Sequence, residues 1–324
     1  MPQAVPGGNS LISVNGKPWK VLFHREYRQF QGGHLKVFDY FGHVRATDGF
    51  EPSIYFAAGS IRDHPWRGDP AIVNRYDPRA ADILFLAGMD WRALDGYPSI
   101  EDEIPVINLL QGVRHGEPGH VLSTFLGRRA IRICVSEQVE DVVSSGGLCN
   151  GPLLTIPNGI DLGEVADDRP KLGTVFIAGL KDPALARQVA GVLAPRGIDV
   201  DCQIERIARR EFLDRLGRAE IAVVLPHRTE GFFLPAIEAM AAGCAVICPD
   251  CIGNRSFCLD GETCLVVPFQ ASAIVGAVDR LLSDTSLARK IAANGREMAK
   301  RHDIVAERRT FQQLLGNIRV RTRQ

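Results

Sequence analysis

The sequence predicts an α/β protein built from two doubly wound domains that face each other across a cleft. Three observations carry this expectation. Short apolar runs alternate with helix-like segments along the chain. The runs are almost continuous in apolar character, as strands buried on both faces are. The alternation breaks once, near residue 160, and then starts again. A length of 324 residues suits two domains at roughly 100–200 residues each. With 45% hydrophobic and 23% charged residues, each half has enough apolar material for a core.

In the first half, strands are expected at Trp19–His24, Pro52–Ala57, Ala81–Ala87, Pro105–Leu110 and Ala130–Ser136. Each is short and bounded by Gly, Pro, Asp or Asn. Helical patterns occupy His34–Arg45 and Ser136–Ser145. The break is Ile156-Pro157-Asn158-Gly159-Ile160-Asp161, where Pro and Asn-Gly enforce a turn, and the polar stretch Gly163–Lys171 follows. Beyond it, strands are expected at Gly173–Ala178, Ile198–Ile204, Ile221–Leu225 and Ala245–Cys248. Helices are expected at Pro183–Leu193, Arg209–Arg218 and Pro235–Ala242. From Ala271 onward the pattern is helical, with Leu282, Leu287 and Ile291 as core positions. The expected boundaries are 1–158 for the first, acceptor-side domain and 159–303 for the second. Residues 304–324 form a C-terminal helix or tail placed to pack back on the first domain.

Composition removes several classes of function. The 38 basic residues balance 38 acidic ones, so no general attraction to nucleic acid is expected. No apolar run approaches the ~18–20 residues that span a bilayer. Met1 to Lys20 lacks a basic segment followed by an apolar one, so no signal peptide is read and a cytoplasmic location is expected. In a reducing compartment the eight cysteines are expected as free thiols. Five of them crowd between Cys244 and Cys264, but only Cys248 and Cys251 have the Cys-x2-Cys spacing of a zinc site and no second pair follows. They read as small apolar residues of buried strands and turns.

Ligands of open α/β sheets sit beyond the carboxyl ends of the strands. The richest such loop is Pro226-His227-Arg228-Thr229-Glu230-Gly231-Phe232-Phe233-Leu234-Pro235. Pro235 suits a first helical turn and Gly243 a helix stop. Free N–H groups near Leu234 and Ala236 would then point into the cleft and hold an anion such as a phosphate. Gly231 permits close backbone approach. Glu230 and Glu238 are placed to bracket a polyhydroxylated ligand, since each carboxylate accepts hydrogen bonds from hydroxyl pairs. The same residues also read as a solvated loop carboxylate and a complement to the helix dipole.

The run Glu-Gly-Phe-x-Leu-Pro-x-x-Glu-Ala-Met-Ala-x-Gly, from Glu230 to Gly243, resembles the signature of the retaining GT-B glycosyltransferases of family 4, also called group 1. Its two glutamates stand eight residues apart, as in that family. Ile156-Pro-Asn-Gly-Ile-Asp161 is similar to the family's inter-domain segment. Gly253-Asn-Arg and Asp260-Gly-Glu-Thr-Cys-Leu-Val-Val-Pro268 are similar to the turn and strand that follow the motif. The resemblance covers about residues 130–270 and is thin before them.

It implies a GT-B fold of two Rossmann-like domains and a nucleotide-diphosphate-sugar donor. Glu230 would contact hydroxyls of the donor sugar, the backbone of Gly231, Phe232, Phe233 and Leu234 would cradle sugar and diphosphate, and Glu238 would hold the ribose. The family places an Arg and a Lys after the second domain's first strand; this chain has Leu180 and Lys181, so Lys181 is the candidate phosphate cation. Phe233 replaces a small Gly and would narrow the sugar pocket. The second domain also lacks one βα unit, expected between Leu193 and Ile198, and the base-reading loop falls near Gln203–Arg210. His227 and Arg228 border the cleft.

In the first domain, Gln31-Gly32-Gly33 corresponds to a glycine-rich loop facing the donor, Gly32 and Gly33 being the binding residues. Gln111 or His115 fills the place of a histidine presented to the donor sugar. Asp90 and Trp91 are placed to meet the acceptor or to serve the core. No metal and no other cofactor is expected. Asp199-Val200-Asp201 has an Asp-x-Asp pattern but lies at the start of a predicted strand, the wrong end for the cleft.

The implied reaction is retaining transfer to an acceptor hydroxyl on a glycan, a lipid-linked glycan or a small molecule, in envelope polysaccharide or glycolipid synthesis. Such work belongs to the cytoplasm or the inner membrane face, with Arg319, Arg321 and Arg323 facing either anionic lipid or solvent. The alternatives are a non-catalytic nucleotide-sugar-binding protein and a nucleotide-sugar epimerase of the same fold.

Overall fold

The computed structural model describes residues 17–29, 32–165 and 170–321. Gln31, Arg323 and most of the segment read for a signal peptide lie outside them. The first domain is a parallel sheet of β1 (Trp19–Arg25), β2 (Phe50–Phe56), β3 (Ile72–Val73), β4 (Ile83–Ala87), β5 (Val106–Leu110), β6 (Ile131–Cys134) and β7 (Leu153–Thr155). Its helices are α1 (Gly32–Arg45), α2 (Ile100–Glu103) and α3 (Glu137–Ser145). The spatial order is β3-β2-β1-β4-β5-β6-β7. β4 and β5 are buried at every position, which is why they read as apolar runs; the one polar residue, Asn108 of β5, donates from Nδ2 to Leu86 O at 3.1 Å.

The second domain begins with α4 (Leu162–Val165), β8 (Thr174–Ala178), α5 (Pro183–Leu193), β9 (Val200–Gln203) and α6 (Arg209–Arg218). It continues through β10 (Ala219–Val224), α7 (Leu234–Ala241), β11 (Ala245–Pro249) and β12 (Leu265–Val267). Two helices, α8 (Ala271–Ser283) and α9 (Thr285–Lys300), cover its outer side. All five strands are parallel, in the order β12-β11-β10-β8-β9. A single helical turn, Ala194–Arg196, separates α5 from β9, and β9 is the sheet edge. Two Rossmann-like sheets therefore stand in a GT-B arrangement, as expected.

Local chemistry sets the helix starts. Ser136 caps α3 by accepting from Val139 N, and Asp182 caps α5 by accepting from Leu185 N at 3.0 Å, with Pro183 in the first turn. Gly243, at φ +75°, ends α7 in the left-handed region. One expectation is corrected: Leu282 is 41% exposed. The core stripe of α8 is Ile274, Ala277, Val278 and Leu281, and Leu282 lies one position further round the helix. Ile291 is buried and Leu287 packs beside it. β3 and β7 were not read, because at two and three residues they are too short and too exposed to leave an apolar run.

The domains are joined twice. The segment at residue 160 exchanges backbone bonds with the end of α9: Ile160 N donates to His302 O at 2.8 Å, and Ile304 N to Ile160 O at 2.9 Å. A Cβ on Gly159 would lie 2.6 Å from Ile304 Cα, so only glycine fits this crossing. The chain then returns through α10 (Ile304–Arg321), which packs on α1 of the first domain. Phe311 meets Tyr40 with ring centroids 4.8 Å apart. The buried Glu307 carboxylate accepts from Lys36 Nζ at 2.7 Å, from His43 Nε2 at 2.9 Å and from Gly159 N. The apolar cluster of the first domain runs on into the second-sheet face that carries α6 and α7, so the two halves share an apolar seam.

No helix among the described residues is long and apolar enough to cross a membrane. Arg319 is buried, with its guanidinium 6.0 Å from the Phe50 ring centroid, so it is not offered to a lipid surface. The eight cysteines are free thiols, and burial raises the pKa of the Cys251, Cys258 and Cys264 thiols. Among the described residues no group of three or more His, Cys, Asp or Glu is arranged to hold a metal ion.

Candidate active site

β8 and β10 are adjacent and parallel, so the loops that leave their carboxyl ends emerge side by side. After β8 the chain turns through Gly179, Leu180 and Lys181 into α5. After β10 it runs through His227 to Phe233 into α7. The two loops meet in one contact: Lys181 Nζ lies 2.5 Å from Glu230 Oε1. His227 N donates to the same oxygen at 3.3 Å. The Phe233 ring is buried beneath, its centroid 4.9 Å from Lys181 Nζ. Both charged groups keep some exposure, 31% for Lys181 and 17% for Glu230. This is a cation and a carboxylate held together at the rim rather than sealed inside.

The first domain closes on this loop from the opposite side. Gln111, just past β5, donates from Nε2 to Gly33 O at 2.8 Å. Gly112 forms an antiparallel bridge with Glu230. Ser136 Oγ donates to Gly231 O at 2.7 Å. Leu234 Cδ1 would be 3.4 Å from a Cβ on Gly32. A Cβ on Gly231 would come within 2.4 Å of Gln111 O, so the close approach read from the sequence is made here between backbones. The structure thus gathers Gly32, Gly33, Gln111, Lys181, Glu230, Gly231, Phe233 and Leu234 at the seam between the domains.

Glu238, on α7, is 3% exposed and paired with Arg209 Nη1 at 2.7 Å. The other edge of Arg209 faces Glu164 on α4: Nε is 3.1 and 3.0 Å from its two oxygens, and Nη2 is 2.9 Å from Oε2. Arg209 lies within the stretch named for base reading, but no spacing rule pointed to it, because its partners are 45 and 29 residues away. Ser136 was read only as the boundary between a strand and a helix; neither its capping of α3 nor its bond across the domains was read.

Other candidates stand elsewhere. The N–H groups of Leu234 and Ala236 are engaged in the turn, donating to Phe232 O at 3.2 Å and to Phe233 O at 3.1 Å, so they are not a ready anion site. Phe232 packs away from Lys181, on Phe257 and His302 with centroids 5.0 and 5.3 Å apart. His227 meets Glu230 through its backbone N–H and is itself exposed, and Arg228 lies over the Phe269 ring at 4.1 Å. Asp90 is buried, bonded to His24 Nδ1 at 3.2 Å and to Arg25 Nη1 at 2.8 Å, while Trp91 stacks on Phe125 in the core. Asp201 accepts from Arg215 Nη1 at 2.8 Å.

His115 is the clearest departure. It is 4% exposed, in a short helical turn that packs on α3, and the charges that act on it are those of His120 and Arg132. Burial, followed by the electrostatic effect of His120 and Arg132, lowers its pKa from 6.5 to about 4. It is a neutral core histidine, which leaves Gln111 as the one of the two candidates whose side chain reaches the seam. The unfolded chain takes up its proton as pH falls through 6.5, whereas the folded chain resists to about 4. Stability from this group is therefore full above pH 6.5 and declines between 6.5 and about 4, by about 3 kcal/mol at 1.36 kcal/mol per unit. Urea unfolding between pH 7 and 4 should show His115→Leu flattening the acid slope by about one proton. An unchanged slope would contradict the assignment.

Comparison with known proteins bears on part of this seam. The family model described as glycosyl transferases group 1 matches residues 204–298, which include the whole Glu230–Gly243 run and Arg209. A D-inositol 3-phosphate glycosyltransferase of Corynebacterium urealyticum is 28% identical over 221 residues, 67% of this chain and 49% of that protein. The chain thus spans about half the length of that curated relative. Among solved structures, Anabaena HepE in complex with UDP and glucose is 14% identical, covers 92% of this chain and 100% of its own, and superposes with a TM-score of 0.71. A UDP-N-acetylglucosamine 2-epimerase is also 14% identical, covering 93% of this chain and 97% of its own, with a TM-score of 0.60. The resemblance read from the glutamate motif holds, and the fold is that of the GT-B proteins; at these identities the structural likeness speaks for the fold alone.

Proposed function

We propose, from the premise that residues 204–298 match glycosyl transferases group 1, that the chain is a retaining, metal-independent glycosyltransferase. It moves a sugar from a nucleotide-diphosphate-sugar donor to the hydroxyl of a glycan, lipid-linked or small-molecule acceptor. Envelope polysaccharide or glycolipid synthesis at the cytoplasmic side of a membrane is the setting this reading favours. The observation that carries it is the Lys181–Glu230 contact at the carboxyl ends of β8 and β10, opposite Gly33 and Gln111.

A departing nucleoside diphosphate gains negative charge, and a preorganised cation lowers the cost of that charge most where water is scarce. Lys181 is the cation in reach. In the resting protein it neutralises Glu230; with donor bound, the ammonium turns to the diphosphate and the carboxylate accepts from sugar hydroxyls. The leaving phosphate takes the acceptor's proton on the same face of the sugar, so no side chain is assigned as a base. Leu180, 38% exposed beside Lys181, puts no second charge there, which makes Lys181 the more important.

Incubation with nucleotide-sugars and a panel of acceptors in EDTA, with the product anomer read by NMR, tests this reading. Transfer with the donor's anomeric configuration kept is the expected result. Inverted product, or activity abolished by EDTA and restored by magnesium, would refute the stereochemistry or the metal independence respectively. Formation of an epimerised nucleotide-sugar without any acceptor would instead identify an epimerase.

A further inference from the structure

We propose that Arg209 is a positioning residue for the donor's ribose, acting through Glu238; this rests on the reading of the second domain as the nucleotide site. A carboxylate as buried as Glu238 is costly unless it is paired. Arg209 supplies the pairing on one oxygen only, Oε1, through Nη1. Its remaining edge, Nε and Nη2, is held in a two-point fork by Glu164. The guanidinium is planar and rigid, so fixing that edge fixes the direction of Nη1 and with it the position of Glu238 Oε1. An ionised carboxylate is acceptor-only, and its other oxygen keeps two lone pairs that can accept from hydroxyl donors. The order of control runs from Glu164 on α4 through Arg209 at the start of α6 to Glu238 on α7, three elements that no contiguous motif links.

Charge alone does not do this. A lysine at position 209 keeps one positive charge near Glu238 but cannot span both carboxylates with a fixed fork. The prediction therefore concerns selectivity for the ribose 2′-hydroxyl, not merely affinity. UDP, GDP and ADP, each beside its 2′-deoxy form, are titrated calorimetrically into the wild-type chain and into Arg209→Lys, Arg209→Gln and Glu164→Gln, with far-UV circular dichroism of each variant. Glu164→Gln alters a side chain that is 45% exposed, so it is the variant that keeps the fold.

Wild-type protein is expected to prefer the ribonucleotide of its own base by about tenfold or more, the size of hydrogen bonds to a charged acceptor. Arg209→Lys and Arg209→Gln should bring that ratio close to one, and Glu164→Gln should lower it part of the way. Folded Arg209 variants that bind more weakly but keep the full ratio would overturn the proposal and leave Arg209 a structural ion pair. A wild-type protein that binds a nucleotide without preferring the ribo form would overturn it too, while leaving the donor reading standing. If no nucleotide binds the wild type, the donor reading itself falls and this assignment with it.

Discussion

Glu230→Gln should lower the proposed sugar transfer by about 10²-fold or more, equivalent to about 2.7 kcal/mol of transition-state stabilisation, with the fold unchanged. Two features of the site set the size of this effect. The carboxylate is the partner of Lys181 at 2.5 Å, so its loss would unbalance the cation proposed for the diphosphate as well as remove the proposed contact to the sugar. Gln has the same shape but brings N–H donors and no charge, so it cannot accept from a pair of hydroxyls with both oxygens. Stability should barely move, because a pair with 31% and 17% exposure is worth little to folding. Initial rates of nucleoside diphosphate release in the presence of acceptor, with thermal midpoints alongside, separate the two effects. Undiminished transfer by a folded Glu230→Gln protein would remove Glu230 from the reaction.

The second large effect is on stability. Glu307→Leu should destabilise the chain by about 3–5 kcal/mol, the cost of breaking a buried pair by deleting one member. Glu307 is fully buried, and its loss strips Lys36, His43 and Gly159 of a shared acceptor at once. Lys36 would retain Asp39 Oδ2 at 2.8 Å and Gly159 O at 2.9 Å, which keeps the damage finite. Because these residues lie on α1, α10 and the inter-domain crossing, unfolding should become less cooperative as α10 leaves the first domain. Chemical denaturation followed by circular dichroism measures this, and the double variant Lys36→Met/Glu307→Leu should recover part of the loss. A single variant within 0.5 kcal/mol of wild type, the range of ordinary surface changes, would show that the pair does not pin the domains.

How much of this was legible in the sequence follows from how local each signal is. Strands such as β4 and β5 were readable because both faces are buried, so that apolar residues fill every position of β4 and all but Asn108 of β5. α5 was readable at its start because Asp182 and Pro183 are local instructions. Glu230 and Glu238 were readable as candidates because both lie within one loop-and-helix unit. Arg209 and Glu164 were not, since the fork joins residues whose proximity exists only once α4, α6 and α7 have packed. His115 failed for the opposite reason: nothing in a short run of residues tells a histidine facing the seam from one turned into the core. Leu282 shows the same limit at the scale of one residue, a single step round a helix exchanging burial for exposure.

The central claim is that the seam beside α7 binds a nucleoside diphosphate without a metal. The most direct measurement is thermal unfolding of the chain with UDP, GDP, ADP, CMP and dTDP, each with and without magnesium. A ligand at 100 times its dissociation constant adds about 2.7 kcal/mol. In domains of this size that raises the midpoint by about 5–10 °C. The account predicts one nucleoside diphosphate standing out by such a shift, the same with and without magnesium, and the shift reduced in Lys181→Met. No shift with any nucleotide, or a shift that appears only with magnesium, would contradict it.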